Sequence, residues 1–133
     1  MKEFQLTVVT FDKVVYNGNV ENVIVRTVNG DVGILKNHEP FVAPLQIGEA
    51  RVKIEGKWRG AACMGGMVYA DKESVKIVAN SFEWSDEINI ARAESAKDNA
   101  EKIITSSHDA KQIDKARIKL LRAITRINVA NNK

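Results

Sequence analysis

Val75-Lys76-Ile77-Val78-Ala79-Asn80-Ser81-Phe82-Glu83-Trp84-Ser85-Asp86-Glu87-Ile88 contains the point at which the chain changes its period. Up to Trp84 apolar residues recur at every second position, as strands require, and beyond it they recur at three and four, as helices require. Ser85 has the chemistry of a helix cap, with Asp86 and Glu87 suited to a first turn, and neither Gly nor Pro follows before Lys133. Upstream, Phe4/Leu6/Val8, Val23/Val25 and Val52/Ile54 keep the strand period, and turn chemistry separates the runs at Asn17-Gly18, Asn29-Gly30, Asn37 to Pro40, Gly48, Glu55-Gly56, Gly65-Gly66 and Asp71-Lys72. Closely spaced short strands of this kind predict an antiparallel β-sandwich or barrel over residues 1–84, followed by a helical domain over 85–133. The fold class is therefore α+β with the two kinds of element segregated.

Downstream, Thr105-Ser106-Ser107-His108 breaks the helical stretch, and Ser106 with Asp109 has the spacing of a capping box, so the tail reads as a two-helix antiparallel hairpin. Ile113, Ala116, Leu120, Ile124 and Ile127 draw one apolar stripe on the second helix. Lys111, Lys115, Lys119, Arg122 and Arg126 draw a second stripe largely opposite the first. Five cations with no acid among them repel one another by roughly 0.2–0.5 kcal/mol per i,i+4 pair, so the arrangement anticipates an acidic surface as well as solvent. The first helix has only the thin seam Ile88, Ala93, Ala96, Ala100, Ile103 and Ile104, which predicts weak packing and a hairpin able to leave the sandwich. Folding the hairpin about Ser107 sets Arg92 opposite Arg122, with Arg126 one turn further on near Glu83. That convergence is a candidate phosphate clamp, and pairing of each arginine with Glu83, Glu87 or Glu94 is the plain alternative.

Composition bounds the function. The 133 residues carry 20 Lys plus Arg against 17 Asp plus Glu, a net charge of +3, and 44% hydrophobic residues, enough for a packed core. The longest charge-free run, Gly60 to Ala70, is too short for a membrane span, and the N-terminus lacks the apolar stretch of a leader. The single Cys63 lies among Ala61, Ala62 and Met64 and reads as a buried core residue. His38 and His108 occupy unrelated turns, so neither a metal site nor a catalytic triad is expected, and no catalytic residue is assigned. Gly65-Gly66 lacks the setting of a phosphate loop and reads as a strand bend or a close backbone approach. All eight aromatic residues precede the helices, so the basic stripe has no stacking platform for bases; a small module gripping nucleic acid phosphates with that helix is the alternative function.

The segment Val23-Ile24-Val25-Arg26-Thr27-Val28-Asn29-Gly30-Asp31-Val32-Gly33-Ile34-Leu35-Lys36-Asn37-His38-Glu39-Pro40, with Gly48 following, resembles the signature of the epsilon subunit of rotary F-type ATP synthases. The likeness continues through Gly65-Gly66, Val75 to Ala79 and Glu83 to Ala93, and so spans nearly the whole chain. It implies a sandwich of about ten strands and a non-catalytic central-stalk subunit, peripheral at the cytoplasmic face of the cell membrane. The implied partners are the gamma subunit, the c-ring and the alpha and beta subunits, with no nucleic acid. It further implies that Asn29, Gly30 and Asp31 face the c-ring and that Thr10, His38 and Val42 face gamma. Lys111, Lys115, Lys119, Arg122 and Arg126 would reach the beta subunit from an extended tail that blocks ATP hydrolysis. Some epsilon subunits bind ATP in the folded hairpin, and Glu83, Ile88, Arg92, Ala93, Arg122 and Arg126 match the positions they use. Asn89 stands where the family motif has Asp and Asn99 where some ATP binders have a basic residue, so the resemblance implies no tightly held cofactor and at most weak regulatory ATP.

Overall fold

A computed structural model describes residues 2–132; Met1 and Lys133, which the sequence places at the ends of the two domains, lie outside the described residues. Eight strands come first: β1 (Phe4–Val9), β2 (Val14–Val20), β3 (Asn22–Thr27), β4 (Gly30–Ile34), β5 (Phe41–Ile54), β6 (Lys57–Ala70), β7 (Ser74–Ala79) and β8 (Phe82–Trp84). They form one hydrogen-bonded sheet in the order β2-β1-β7-β6-β5-β3-β4, with β8 paired to β6. β5 and β6 are 14 residues long, pair with each other from end to end and are paired differently on their other edges along their length. Gly66 to Ala70 pair with β7 and Ala61 to Cys63 pair with β8, while Leu45 and the later part of β5 pair with β3. The sheet therefore doubles over into two layers, and counting each half of β5 and β6 as a strand recovers the ten expected. One pair departs from the antiparallel expectation: β1 runs parallel to β7.

Gly65 and Gly66 lie where the edge of β6 away from β5 changes partners, at φ +86° and +138°. A Cβ on Gly66 would stand 2.1 Å from the Val78 carbonyl oxygen and 2.8 Å from Ala79 Cα, so the backbones approach more closely than any side chain allows. Between the layers, Leu6, Val8, Val20, Val23, Val25, Val52, Val68, Val75 and Ile77 form a sealed core with Phe82 and Trp84. Cys63 lies inside it, and burial pushes its thiol up to about 11.

The helices are α1 (Ile90–Ser106) and α2 (Ala110–Asn131). Two boundaries differ from expectation. Ser85–Glu87 form a 3-10 turn, and α1 starts later, capped by Asn89, whose Oδ1 accepts from the Arg92 N–H at 3.0 Å. The extended Ile88 between them is buried against the sandwich, and that anchor delays the helix. At the second boundary Asp109 caps α2 by accepting from the Lys111 N–H at 2.9 Å, while Ser106 ends α1 and donates to the Lys102 carbonyl at 2.6 Å. A charged acceptor one residue before the helix thus takes the role assigned to Ser106.

Ala93 and Ala100 of α1 and Ala116 and Ala123 of α2 are buried, and small side chains let two helices approach closely. Ile113, Leu120, Ile124 and Ile127 are half-buried; Ala96 and Ile103, expected in the seam, are exposed. The hairpin meets the sandwich mainly through the end of α2. Val129 and Ala130 join Ile88, Ala62 and Met64 in a small cluster, on the face of β6 opposite Ala61 and Cys63.

Candidate functional site

A cleft of about 680 Å³ lies between the sandwich and the hairpin. α1 contributes Arg92, Ala93 and Ala96 behind the Asn89 cap, α2 contributes Arg126, β8 and the turn before it contribute Asn80 to Glu83, and Glu87 comes from the 3-10 turn between the domains. Arg126 Nε lies 2.6 Å from Glu83 Oε1 with both side chains about one-third exposed, so this arginine is held by a carboxylate. Arg92 has no carboxylate within 4.0 Å among the described residues. Arg122 opens into an adjoining groove of about 350 Å³ with Asn99, Lys119 and Arg126. The expected three-arginine convergence is thus divided, with Arg126 shared between two depressions. Ile88 does not line the cleft; it is buried in the small cluster under α2.

The turn between β1 and β2, Thr10 to Lys13, forms a further wall of the cleft, which helical spacing in the tail does not foretell. Phe11 in that turn is 96% exposed. An aromatic residue set among Thr10, Asp12 and Lys13 in a turn was the available signal.

On α2, Lys111, Lys115, Lys119 and Arg122 are exposed and have no carboxylate within 4.0 Å among the described residues, whereas Arg126 is withdrawn from the stripe by Glu83. Asn29 and Gly30 lie at the β3–β4 turn, where the Thr27 hydroxyl donates to the Gly30 carbonyl at 3.0 Å and accepts from the Asn29 N–H at 3.2 Å. Asp31 follows, paired across the strands with Arg26 at 2.6 Å, and its carboxylate holds the guanidinium charge more firmly by raising its pKa.

Val42 belongs to an apolar outer face. It lies opposite Tyr69, and the neighbouring row crosses the layer through Pro44, Met67, Val78, Val9 and Val14. Val14, Val42, Tyr69 and Val78 are between 38% and 61% exposed, a contiguity of apolar surface that marks docking faces. Thr10 follows Val9 at one end of this face. His38 lies at the other end, edge-on to Phe4, with Nε2 buried and without a hydrogen-bond partner among the described residues.

Comparison with known proteins bears on this arrangement. Residues 3–85 match the family model of the ATP synthase Delta/Epsilon chain β-sandwich domain, and residues 86–131 match that of its long α-helix domain. The chain belongs to the ATP synthase delta/epsilon family. It is 40% identical to the ATP synthase epsilon chain of Ruminococcus albus, covering all of both chains, and 42% identical to that of Bacillus pumilus, covering 98% of each. Among solved structures, a chain of the Euglena gracilis mitochondrial ATP synthase shares the fold with a TM-score of 0.82 at 24% identity, over 92% of this chain and 78% of that one. A chain of the Tetrahymena thermophila central stalk and c-ring structure aligns at a TM-score of 0.68 and 13% identity over 97% of each. The family is the one that Val23 to Pro40 led us to expect, and the nucleic acid alternative has no support among these relatives.

Proposed function

We propose that this chain is the epsilon-type subunit of an F-type ATP synthase. It acts as a non-catalytic rotor component that couples ion flow through the c-ring to ATP synthesis and restrains ATP hydrolysis through its helices. The observation that carries this reading is the match of both family domains, in order, across residues 3–131. It is supported by relatives named ATP synthase epsilon chain and by a structural neighbour from a central stalk and c-ring assembly. No helix of the described residues is long and apolar enough to cross a membrane. In this reading the chain attaches peripherally, through the complex, at the cytoplasmic face.

Within this reading the apolar outer face bearing Val42, with Thr10 and His38 at its ends, docks on gamma. The exposed turn at Asn29, Gly30 and Asp31 faces the c-ring. Lys111, Lys115, Lys119 and Arg122 meet acidic surface on the catalytic beta subunits when the hairpin extends, and Arg126 joins them once released from Glu83. The cleft holds ATP weakly in the folded state, with Arg92 and Arg126 toward phosphate and Arg122 at the adjoining groove.

Replacing Lys111, Lys115, Lys119 and Arg122 with Ala in the reconstituted complex tests the inhibitory role. ATP hydrolysis should rise severalfold while gamma binding is unchanged, and the gain should shrink as salt rises, because exposed charges are screened over about 8–10 Å at physiological ionic strength. Unchanged hydrolysis would return these cations to an ordinary solvated face.

A further inference from the structure

We propose that the β1–β2 turn supplies part of the sandwich's side of the nucleotide site, with Lys13 and the hairpin's Arg92 lining the same cleft and Phe11 offering its ring to the base. A bound nucleoside triphosphate would then fasten the hairpin to the sandwich. The inference rests on the nucleotide reading above and adds a wall that the hairpin motif lacks.

Three cations line the cleft, and one of them, Arg126, is already held by Glu83 at 2.6 Å. Arg92 and Lys13 have no carboxylate within 4.0 Å among the described residues. These two come from different domains, so phosphate oxygens that bridge them contribute to holding the domains together only while the hairpin is folded.

The cleft also presents Asp12, Glu83 and Glu87, which balance the three cations. A bare polyanion gains little from a charge-balanced site. A ligand anionic at one end and rich in donors at the other, as the ribose hydroxyls and base amine of a nucleotide make it, satisfies both kinds of wall. Asp12 already accepts from the Thr10 hydroxyl at 2.7 Å, which leaves Glu87 the freer acceptor. Phe11, 96% exposed in the same turn, lines the cleft with its ring surface uncovered among the described residues, which leaves an aromatic face for a base. The volume of about 680 Å³ lies within the usual range of small-molecule sites.

Calorimetric titration of the full chain with ATP and with inorganic tripolyphosphate tests this, using wild type, Lys13→Ala, Phe11→Ala, Arg92→Ala and, as a surface control, Lys72→Ala. Protease protection of α1 reports hairpin closure alongside. Removing one charge-assisted contact should weaken ATP binding about tenfold in Lys13→Ala and in Arg92→Ala. Both variants should lose ATP-dependent protection, Phe11→Ala should weaken ATP but not tripolyphosphate, and Lys72→Ala should match wild type. ATP binding that needs Arg92 but is indifferent to Lys13 would overturn the fastening role and leave the nucleotide reading standing. Tripolyphosphate binding as tight as ATP would overturn the role of Phe11 and the acceptors. Absence of binding by wild type at millimolar ATP would overturn both readings.

Discussion

Cys63 and Gly66 lie three residues apart on β6, and the two are constrained for opposite reasons. Cys63 is buried between the layers with its thiol pushed up to about 11, so at pH 8 only about one molecule in a thousand carries the thiolate, against roughly a quarter for a thiol with the ordinary value near 8.5. Ellman's reagent should therefore leave the native chain unmodified at pH 8 and titrate one thiol after denaturation; rapid native reaction would mean that the core opens readily. Gly66 is constrained by space and backbone, since a Cβ would meet the Val78 carbonyl at 2.1 Å while φ stays at +138°. Gly66→Ala must part β6 from β7 and should cost on the order of 3 kcal/mol or more, measured as a fall in the urea midpoint or as loss of soluble protein. Both roles were legible in the sequence, because a cysteine in an apolar run and a glycine pair inside a strand each have few structural explanations.

At the scale of the element, Asn89 decides where α1 begins. Its side chain caps the helix through the Arg92 N–H, and α1 has no acidic residue in its first turn to complement the dipole. Asn89→Ala should destabilise the end of α1 by about 0.5–2 kcal/mol. Asn89→Asp keeps the acceptor and adds a charge worth about 0.3–1 kcal/mol at that end. Proteolytic susceptibility of the hairpin should rise in the first variant and fall in the second, with sandwich unfolding unchanged. ATP binding should strengthen in Asn89→Asp because the folded hairpin is favoured; equal susceptibility in all three proteins would remove the cap from the account. The cap also explains what the sequence hid. Ser85, Asp86 and Glu87 have the composition of a helix start, yet Ile88 finds apolar partners in Ala62 and Met64, and tertiary burial overrides the local signal. The division of the arginines was hidden for a related reason: helical spacing places Cα positions, but the Arg126–Glu83 contact depends on where the sandwich ends. The Thr10 to Lys13 wall was least legible, because it enters the cleft from a segment some eighty residues earlier in the chain.

At the scale of the whole molecule, one large core fills the sandwich among the described residues, and a small cluster straddles the sandwich and the helices. Every member of the large core among those residues lies between Phe4 and Trp84, and the second cluster links Ala62 and Met64 to three buried residues beyond that boundary, Ile88, Val129 and Ala130. Residues 1–84 should therefore fold alone. The apolar cost is that of uncovering Met64, Ala62 and the half-buried Ile47, about 2–5 kcal/mol on the usual scale for burying apolar side chains, and the partly exposed Arg126–Glu83 and Asp86–Arg59 pairs are lost with the tail. Extending the fragment to residue 88 restores Ile88 and returns the Asp86 carboxylate to Arg59, 3.7 Å away, whose guanidinium stacks at 3.9 Å on Trp84. The 1–88 fragment should thus unfold at a higher urea concentration than 1–84, with both transitions cooperative and similar in slope. If neither fragment showed a cooperative transition, α2 would have to complete the core, and a hairpin that leaves the sandwich would unfold its own support. A cooperative 1–84 fragment would instead give the detached state the rigid platform that inhibition by an extended tail requires.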